Sequence, residues 1–430
     1  MNMHKATMLM RMALDWEAIK GTCKTYGILR EDKAFNVTKY INMFTSMHKG
    51  EKIVKHEGKY IISTFMPPFP SESFYTNMKA VEEPSDIFTQ QIHGKRSAPI
   101  SSYLSVTHKC PNNCVYCSAK TGQAAKELTT AQWVRVINDL QDMKTSIIGL
   151  TGGEPLIRED IFDIVKAIDQ RSTSMLFTSG FNLTPERARE LKKCGLFSIG
   201  ISLDSHDREV HNRNRSDEHA FDTALTALQN ARNAGLYVMA QTVALKEHAG
   251  EDQLFKLFKL AGENGAHEVK MLEPILSGKL LEEENLSQIL YNAADRKNLI
   301  DIQHKANKRS KFPKISTFAY TESEEKYGCG AGTQHVYISA NGDLYPCDFV
   351  PMAFGNVTEN GVKVLWQEMN AVMGIPKTGC FAQKINREVY RKAQGKLPLD
   401  KEQSMEICLN HQSDTFPQYY RDLQEQKVIR

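Results

Sequence analysis

The chain has 430 residues, 41% of them hydrophobic and 24% charged, with a formal net charge of +3. That balance excludes wholesale disorder and allows two or three domains with at least one large core. So small a positive excess gives no case for an obligatory nucleic-acid partner, and no apolar run approaches the roughly 20 residues of a membrane span. The first twenty residues mix His4, Lys5, Arg11, Asp15 and Glu17 into a weakly amphipathic helix. They lack the apolar stretch and cleavage site of a secretory signal, so the expected location is cytoplasmic. Met8, Met10 and Met12 read as packing residues. A hairpin follows, with residues 51–55 and 59–64 flanking the turn at Glu57-Gly58, and Pro67, Pro68 and Pro70 then break regular structure. Residues 1–95 are expected to form an α+β domain.

From Ser101 the pattern alternates. Strands are predicted at 103–107, 146–150, 175–178, 197–202, 237–243 and 268–272, with helices near 129–143, 159–170, 185–194, 219–234 and 252–264. Thr184-Pro185 starts one helix with a capping hydroxyl and a first-turn proline, and Gly195 and Gly235 fall at helix ends. Such alternation implies a parallel sheet with helices outside it. Six units are too few for a closed eight-stranded barrel, so the expected class is α/β, a partial (βα)6 TIM-like barrel over residues 96–310. Ligands of such folds bind at the carboxyl ends of the strands. A helical stretch at 282–307 follows. Beyond Pro313 the pattern is read as loop-rich, and residues 311–430 form a third, cysteine-rich domain.

Nine cysteines, an odd number, argue against a disulfide framework in a reducing compartment. Three lie within eight residues at the end of the first strand, as Cys110-x3-Cys114-x2-Cys117. Three thiolates that close hold three irons of a cubane cluster, which normally takes four cysteines, so one iron stays open to a ligand. A structural zinc, or a cluster closed by a distant fourth cysteine, would use the same spacing. The second strand is followed by Thr151-Gly-Gly-Glu-Pro155, where paired glycines let backbone approach a ligand and Glu154 is able to accept from an ammonium group.

Over residues 98–280 these two motifs, in this order, resemble the radical SAM superfamily, including the aromatic Tyr116 before the third cysteine. The resemblance implies that the open iron chelates S-adenosylmethionine (SAM). One electron then cleaves SAM, and a 5′-deoxyadenosyl radical takes hydrogen from a substrate. Gly152, Gly153 and Glu154 would hold the methionine amino group. Ser179, Ser202 and Asp204 stand where family members line the ribose or substrate, and Arg213 or Arg215 would pair with the methionine carboxylate or else be solvated loop charges. Gln241 and Thr242 end the fifth strand.

The C-terminal region has Cys329-x12-Gly342-x4-Cys347, with Asn341-Gly342 as a hairpin turn, then Cys380 and Cys408. It resembles the SPASM/Twitch extension without its dense later cysteine group, which implies one auxiliary 4Fe-4S cluster on Cys329, Cys347, Cys380 and Cys408. If one of the four is not a ligand, an iron there is open to substrate. Zinc at the same thiolates is the alternative. Cys23 and Cys194 have no partner motif, and Cys194 reads as a small buried residue. His206, His211 and His219 share a polar stretch and read as exposed, and His108 has no ligand spacing. The resulting expectation is a radical SAM enzyme acting on a peptide or protein. The alternatives are a small-molecule biosynthetic step and, from another class, a non-catalytic iron–sulfur or zinc scaffold or redox sensor. A hydrolase lacks a nucleophile motif. A reducing donor such as flavodoxin or ferredoxin would be needed.

Overall fold

Alternating apolar residues after Ser101 give strands with two buried faces, and their placement decides the architecture. The computed structural model describes residues 3–83, 87–119, 126–281, 283 and 285–424. A small hairpin comprises β1 (Val54–His56) and β2 (Lys59–Ile61), and Glu57 and Gly58 both take positive φ at its turn. The main sheet comprises β3 (Ser101–Ser105), β4 (Ile147–Thr151), β5 (Thr173–Thr178), β6 (Ser198–Ser202), β7 (Tyr237–Val243), β8 (Glu268–Leu272), β9 (Lys314–Thr317), β10 (His335–Ile338) and β11 (Leu344–Tyr345). Among the described residues its order is β11-β10-β3-β4-β5-β6-β7-β8-β9, parallel throughout except for the β10–β11 hairpin. All six predicted strands are present. Two further parallel strands, β9 and β10, both from beyond residue 310, add on either side of them.

Period-two alternation sorts the side chains. Leu104, Leu150, Leu176, Ile199, Ile201, Val238, Val269 and Met271 face the surrounding helices in one large core. Each such burial contributes about 1.5–3 kcal/mol. On the other face Ile147, Met175, Tyr237 and Met239 meet Ile61 of the hairpin, so the N-terminal segment closes the lower end of the curved sheet. The helix Thr130–Asp142 starts on a capping box between Thr129 and Gln132 and buries Trp133, Val136, Ile137 and Leu140 at helical spacing.

The N-terminal segment is tied down by polar contacts. Glu51 and Lys314 form a wholly buried ion pair at 2.5 Å. Lys326 donates from Nζ to the carbonyls of Ser46, Met47 and Lys49. Met12 is buried, Met8 packs beside the same core and Met10 is exposed, so that run is a packing stripe.

Three helical expectations change. The helix near 159–170 is shorter, Ile161–Lys166. The stretch at 282–307 is divided into Leu286–Ile289 and Ala293–Asn307 (residues 282 and 284 lie outside the described ones), because Asn292 and Asp295 form a capping box that starts a new helix. The C-terminal region is not loop-rich: it contains the helices Val362–Met373, Phe381–Ala393 and Lys401–Asn410. Phe381–Ala393 buries Phe381, Ile385 and Val389 at helical spacing while its other face is charged. No helix among the described residues is long and apolar enough to cross a membrane.

Candidate functional site

The carboxyl ends of β3 to β8 open into a cavity of about 230 Å³. Beyond Ser105 the chain runs along the turn that follows β4. Gly153 N–H donates to the Thr107 carbonyl at 2.7 Å, and Glu154 N–H to that of Lys109 at 2.8 Å. The contact requires glycine. A Cβ on Gly152 (φ +137°) would sit 2.4 Å from the Thr107 carbonyl oxygen, and one on Gly153 would sit 2.2 Å from that of Lys109. The glycine turn is therefore packed directly under the start of the cysteine loop.

That loop is held from its other side as well. Val115 N–H donates to the Asn214 carbonyl at 3.0 Å, and Lys279 N–H to that of Cys117 at 3.0 Å. Cys110, Cys114 and Cys117 all line the cavity, as free thiols. Burial pushes the Cys114 thiol up, while the Arg215 guanidinium, 3.7 Å from its Sγ, opposes the rise. Arg215 in turn makes a bidentate pair with Asp204 at 2.8 and 2.9 Å, and the Tyr116 hydroxyl donates to the same carboxylate. Burial alone would raise the Asp204 carboxyl, but Arg215 and His211 outweigh it and hold it below the ordinary carboxylate value.

Glu154 is buried, and its carboxylate accepts from Leu156 N–H, the Thr178 hydroxyl, and both the N–H and the hydroxyl of Ser179 at 2.7–3.1 Å. Four donors fill its acceptor sites. The side chain locks the end of β5 to the glycine turn and has no free oxygen lone pair for the ammonium group expected of it. Burial raises its pKa.

Of the expected contacts, Tyr116, Gly152, Gly153, Glu154, Ser179, Ser202 and Arg215 line the cavity. Asp204 lies behind it, holding Arg215. Arg213 lies away from it, 58% exposed and near Glu247 and His248, so it is a surface charge. His211 is buried rather than exposed, because its Nδ1 accepts from the Asp204 N–H at 3.1 Å. His206 is half-buried and His219 exposed.

The opposite wall comes from the C-terminal region. Asp348 and Phe349, directly after Cys347, line the cavity with Tyr337. A second cavity of about 120 Å³ adjoins it, sharing Tyr103, Phe318, Asp348 and Phe349, and reaches Cys329 and Cys347. Cys329 and Cys380 are within hydrogen-bonding reach of each other, and Cys347 feels the charge of Cys329. Cys408 is buried in the helix Lys401–Asn410 and feels Lys377, which also feels Cys329 and exchanges backbone hydrogen bonds with it. Among the described residues no three His, Cys, Asp or Glu side chains converge to metal-holding distance. Cys23 is exposed, and Cys194 is half-buried beside Glu190 rather than fully buried.

The sequence reading also missed cavity residues. Tyr103, Lys270 and Phe318 face it from β3, β8 and the segment after β9. The available signal was Lys270 itself, a charge in the middle of a strand that is buried throughout.

Residues 104–258 match the radical SAM superfamily, and residues 329–409 match an iron–sulfur cluster-binding domain, SPASM. The AdoMet-dependent heme synthase of Methanosarcina barkeri is 28% identical over 291 residues, covering 63% of this chain and 83% of that protein. The mycofactocin maturase MftC of Mycolicibacterium smegmatis is 27% identical over 299 residues, covering 66% and 74%. In fold, the chain is similar to Streptococcus suis SuiB bound to S-adenosylmethionine (TM-score 0.56, 18% identity, 70% of this chain and 77% of that one). It is also similar to anSMEcpe with bound AdoMet (TM-score 0.51, 15% identity, 72% and 99%). The first domain brings a 4Fe-4S cluster and SAM as cofactors, and the second brings further iron–sulfur binding. With one match spanning the cysteine loop and glycine turn and the other spanning the later cysteines, the chain carries a radical SAM domain and a C-terminal SPASM domain.

Proposed function

We propose that this enzyme abstracts hydrogen from a peptide or protein substrate held in the cavity between its two cysteine regions. One observation carries the reading. A single cavity is walled on one side by Cys110, Cys114 and Cys117 and on the other by the two residues that follow Cys347. Two relatives favour a peptide over a small molecule: the mycofactocin maturase, and SuiB, which has a solved structure bound to its precursor peptide SuiA. The heme synthase relative favours the second reading, a small-molecule substrate.

The residues present fit the cofactors. Three free thiols lining one cavity form a suitable donor set for a cluster with an open iron. The strand-end hydroxyls of Ser179 and Ser202 offer polar partners to a bound SAM. Cys110, Cys114 and Cys117 would hold the cluster, and Cys329, Cys347, Cys380 and Cys408 the auxiliary one. Bound there, a reduced cluster and SAM would supply one-electron reductive cleavage of SAM and hydrogen abstraction from the substrate. The chain's own part is positional. Asp204 aims Arg215 at the Cys114 sulfur, and Glu154 fixes the Gly152-Gly153 turn beneath the loop. We also place the protein in the cytoplasm, where a flavodoxin- or ferredoxin-like donor would reduce it.

The test is anaerobic reconstitution, reduction in the presence of SAM, and assay of 5′-deoxyadenosine. We expect the wild type to form it and Cys110→Ala, Cys114→Ala and Cys117→Ala each to lose it. Cleavage that survives any one of the three changes removes that residue from the cluster site.

A further inference from the structure

Lys270 lies at the centre of β8 with its side chain on the inner face of the sheet, and it is only 2% exposed. Its Nζ stands among four aromatic rings: Phe65 at 4.8 Å, Phe318 at 4.9 Å, Phe177 at 5.6 Å and Tyr103 at 5.9 Å. Among the described residues its hydrogen-bond partner is the Tyr103 hydroxyl, at a long 3.5 Å, and no carboxylate lies within ion-pair distance. The nearby acids are engaged or pushed up by burial. Glu268 accepts from Tyr237 and Ser316, Asp348 accepts from His335, and burial raises the Glu322 carboxyl well above its ordinary value.

Burying an ammonium is costly unless it is paired, and such a lysine, with three donors, is left with capacity to spare. Ring faces recover part of that cost but do not satisfy N–H groups. Burial lowers the Lys270 pKa to about 8, which still leaves it mostly charged at neutral pH. Beside it in register on β7 is Gln241, whose buried Oε1 is unpaired. Both side chains line the cavity that holds the cysteine loop. A cation and an acceptor left unsatisfied side by side in one cavity indicate what the ligand supplies.

We propose that Lys270 is the substrate-anchoring residue and that the substrate carries a carboxylate, which Lys270 pairs with inside the aromatic ring set while Gln241 accepts from a neighbouring N–H or O–H of the substrate. This assignment rests on the cavity being the substrate site, as proposed above. The carboxylate comes either from an acidic residue of a peptide or from a small carboxylic acid, and the chemistry of recognition is the same for both.

The experiment uses the reconstituted, SAM-saturated holoenzyme in ligand-observed NMR titrations. The probes are N-acetyl-glutamate N-methylamide and glutarate, each against its uncharged counterpart, N-acetyl-glutamine N-methylamide and glutaramide. We expect at least one acid to bind about tenfold or more tighter than its amide, Lys270→Met to abolish that difference, and Lys270→Arg to keep part of it. Preference for the blocked glutamate assigns a peptide source, and preference for glutarate assigns a small molecule. SAM affinity, measured by equilibrium dialysis, stays within about twofold in Lys270→Met. Without probe, the Lys270→Met protein unfolds at a higher temperature than the wild type, because a neutral chain of similar size replaces an unpaired charge. The proposal is overturned if neither acid binds selectively, if Lys270→Met retains the selectivity, if its SAM affinity collapses, or if its unfolding temperature falls. Formation of 5′-deoxyadenosine by the wild type is assayed separately, so failure of the cofactor reading is distinguishable from failure of this one.

Discussion

Asp204 is a buried carboxylate with three jobs: it takes Arg215 in a two-pronged pair, accepts from Tyr116, and presents its own N–H to His211. Removing one charge of such a pair leaves the other buried and unpaired, which costs about 3–5 kcal/mol. Asp204→Asn is therefore expected to lower the unfolding free energy by about 3 kcal/mol in denaturant titration and to loosen the loop that carries Cys114. His211 gives a pH signature. Burial lowers its pKa from 6.5 to about 4, and it accepts at Nδ1 where a proton would oppose the Asp204 N–H. The unfolded chain therefore takes up this proton first. The neutral histidine's full contribution is present above pH 6.5 and is lost as pH falls through 6.5 towards about 4. Between those values the wild type should lose about 3 kcal/mol that a His211→Gln variant does not lose, as read from denaturation midpoints across the range.

At the scale of elements, the glycine turn after β4 and the loop after β3 behave as one unit, because backbone of the first packs against backbone of the second. Gly152→Ala places a methyl group 2.4 Å from a carbonyl oxygen at a positive φ. It should therefore reduce iron retained by the Cys110–Cys117 loop without unfolding the sheet, as read from iron content alongside far-UV circular dichroism. In the C-terminal region, Cys329 neighbours Cys347 and Cys380, and Lys377 feels both Cys329 and Cys408. With two cubanes of four irons each, a loaded chain carries about eight irons. Cys347→Ala, Cys380→Ala and Cys408→Ala should each remove about four. The cysteine motifs were legible in the sequence because ligand spacing is local.

Across the whole molecule, the N-terminal segment and the cysteine-rich region are joined to the barrel sheet rather than appended to it. The hairpin closes its lower end, β9 and β10 extend its edges, and the Glu51–Lys314 pair joins the first 60 residues to β9. Glu51→Ala should cost about 3–5 kcal/mol by leaving Lys314 buried without a partner. Glu51→Ala with Lys314→Met should recover most of that loss, a double-mutant comparison read by thermal and chemical unfolding.

The sequence by itself determined the six-strand alternation, the Cys110–Cys117 loop, the Gly152-Gly153 turn and, from the order of these two motifs, the family, since each strand and each motif is written in residues within a dozen positions of one another. Tertiary structure alone decided what fills the space between them. The rings around Lys270 come from residues 65, 103, 177 and 318. Arg215 is a cavity residue and Arg213 a surface charge because a helix two turns long turns one inward and the other outward. Charge and hydropathy along a chain record which residues seek burial or water. Which buried charge meets which partner depends on distances set only when distant strands share one sheet.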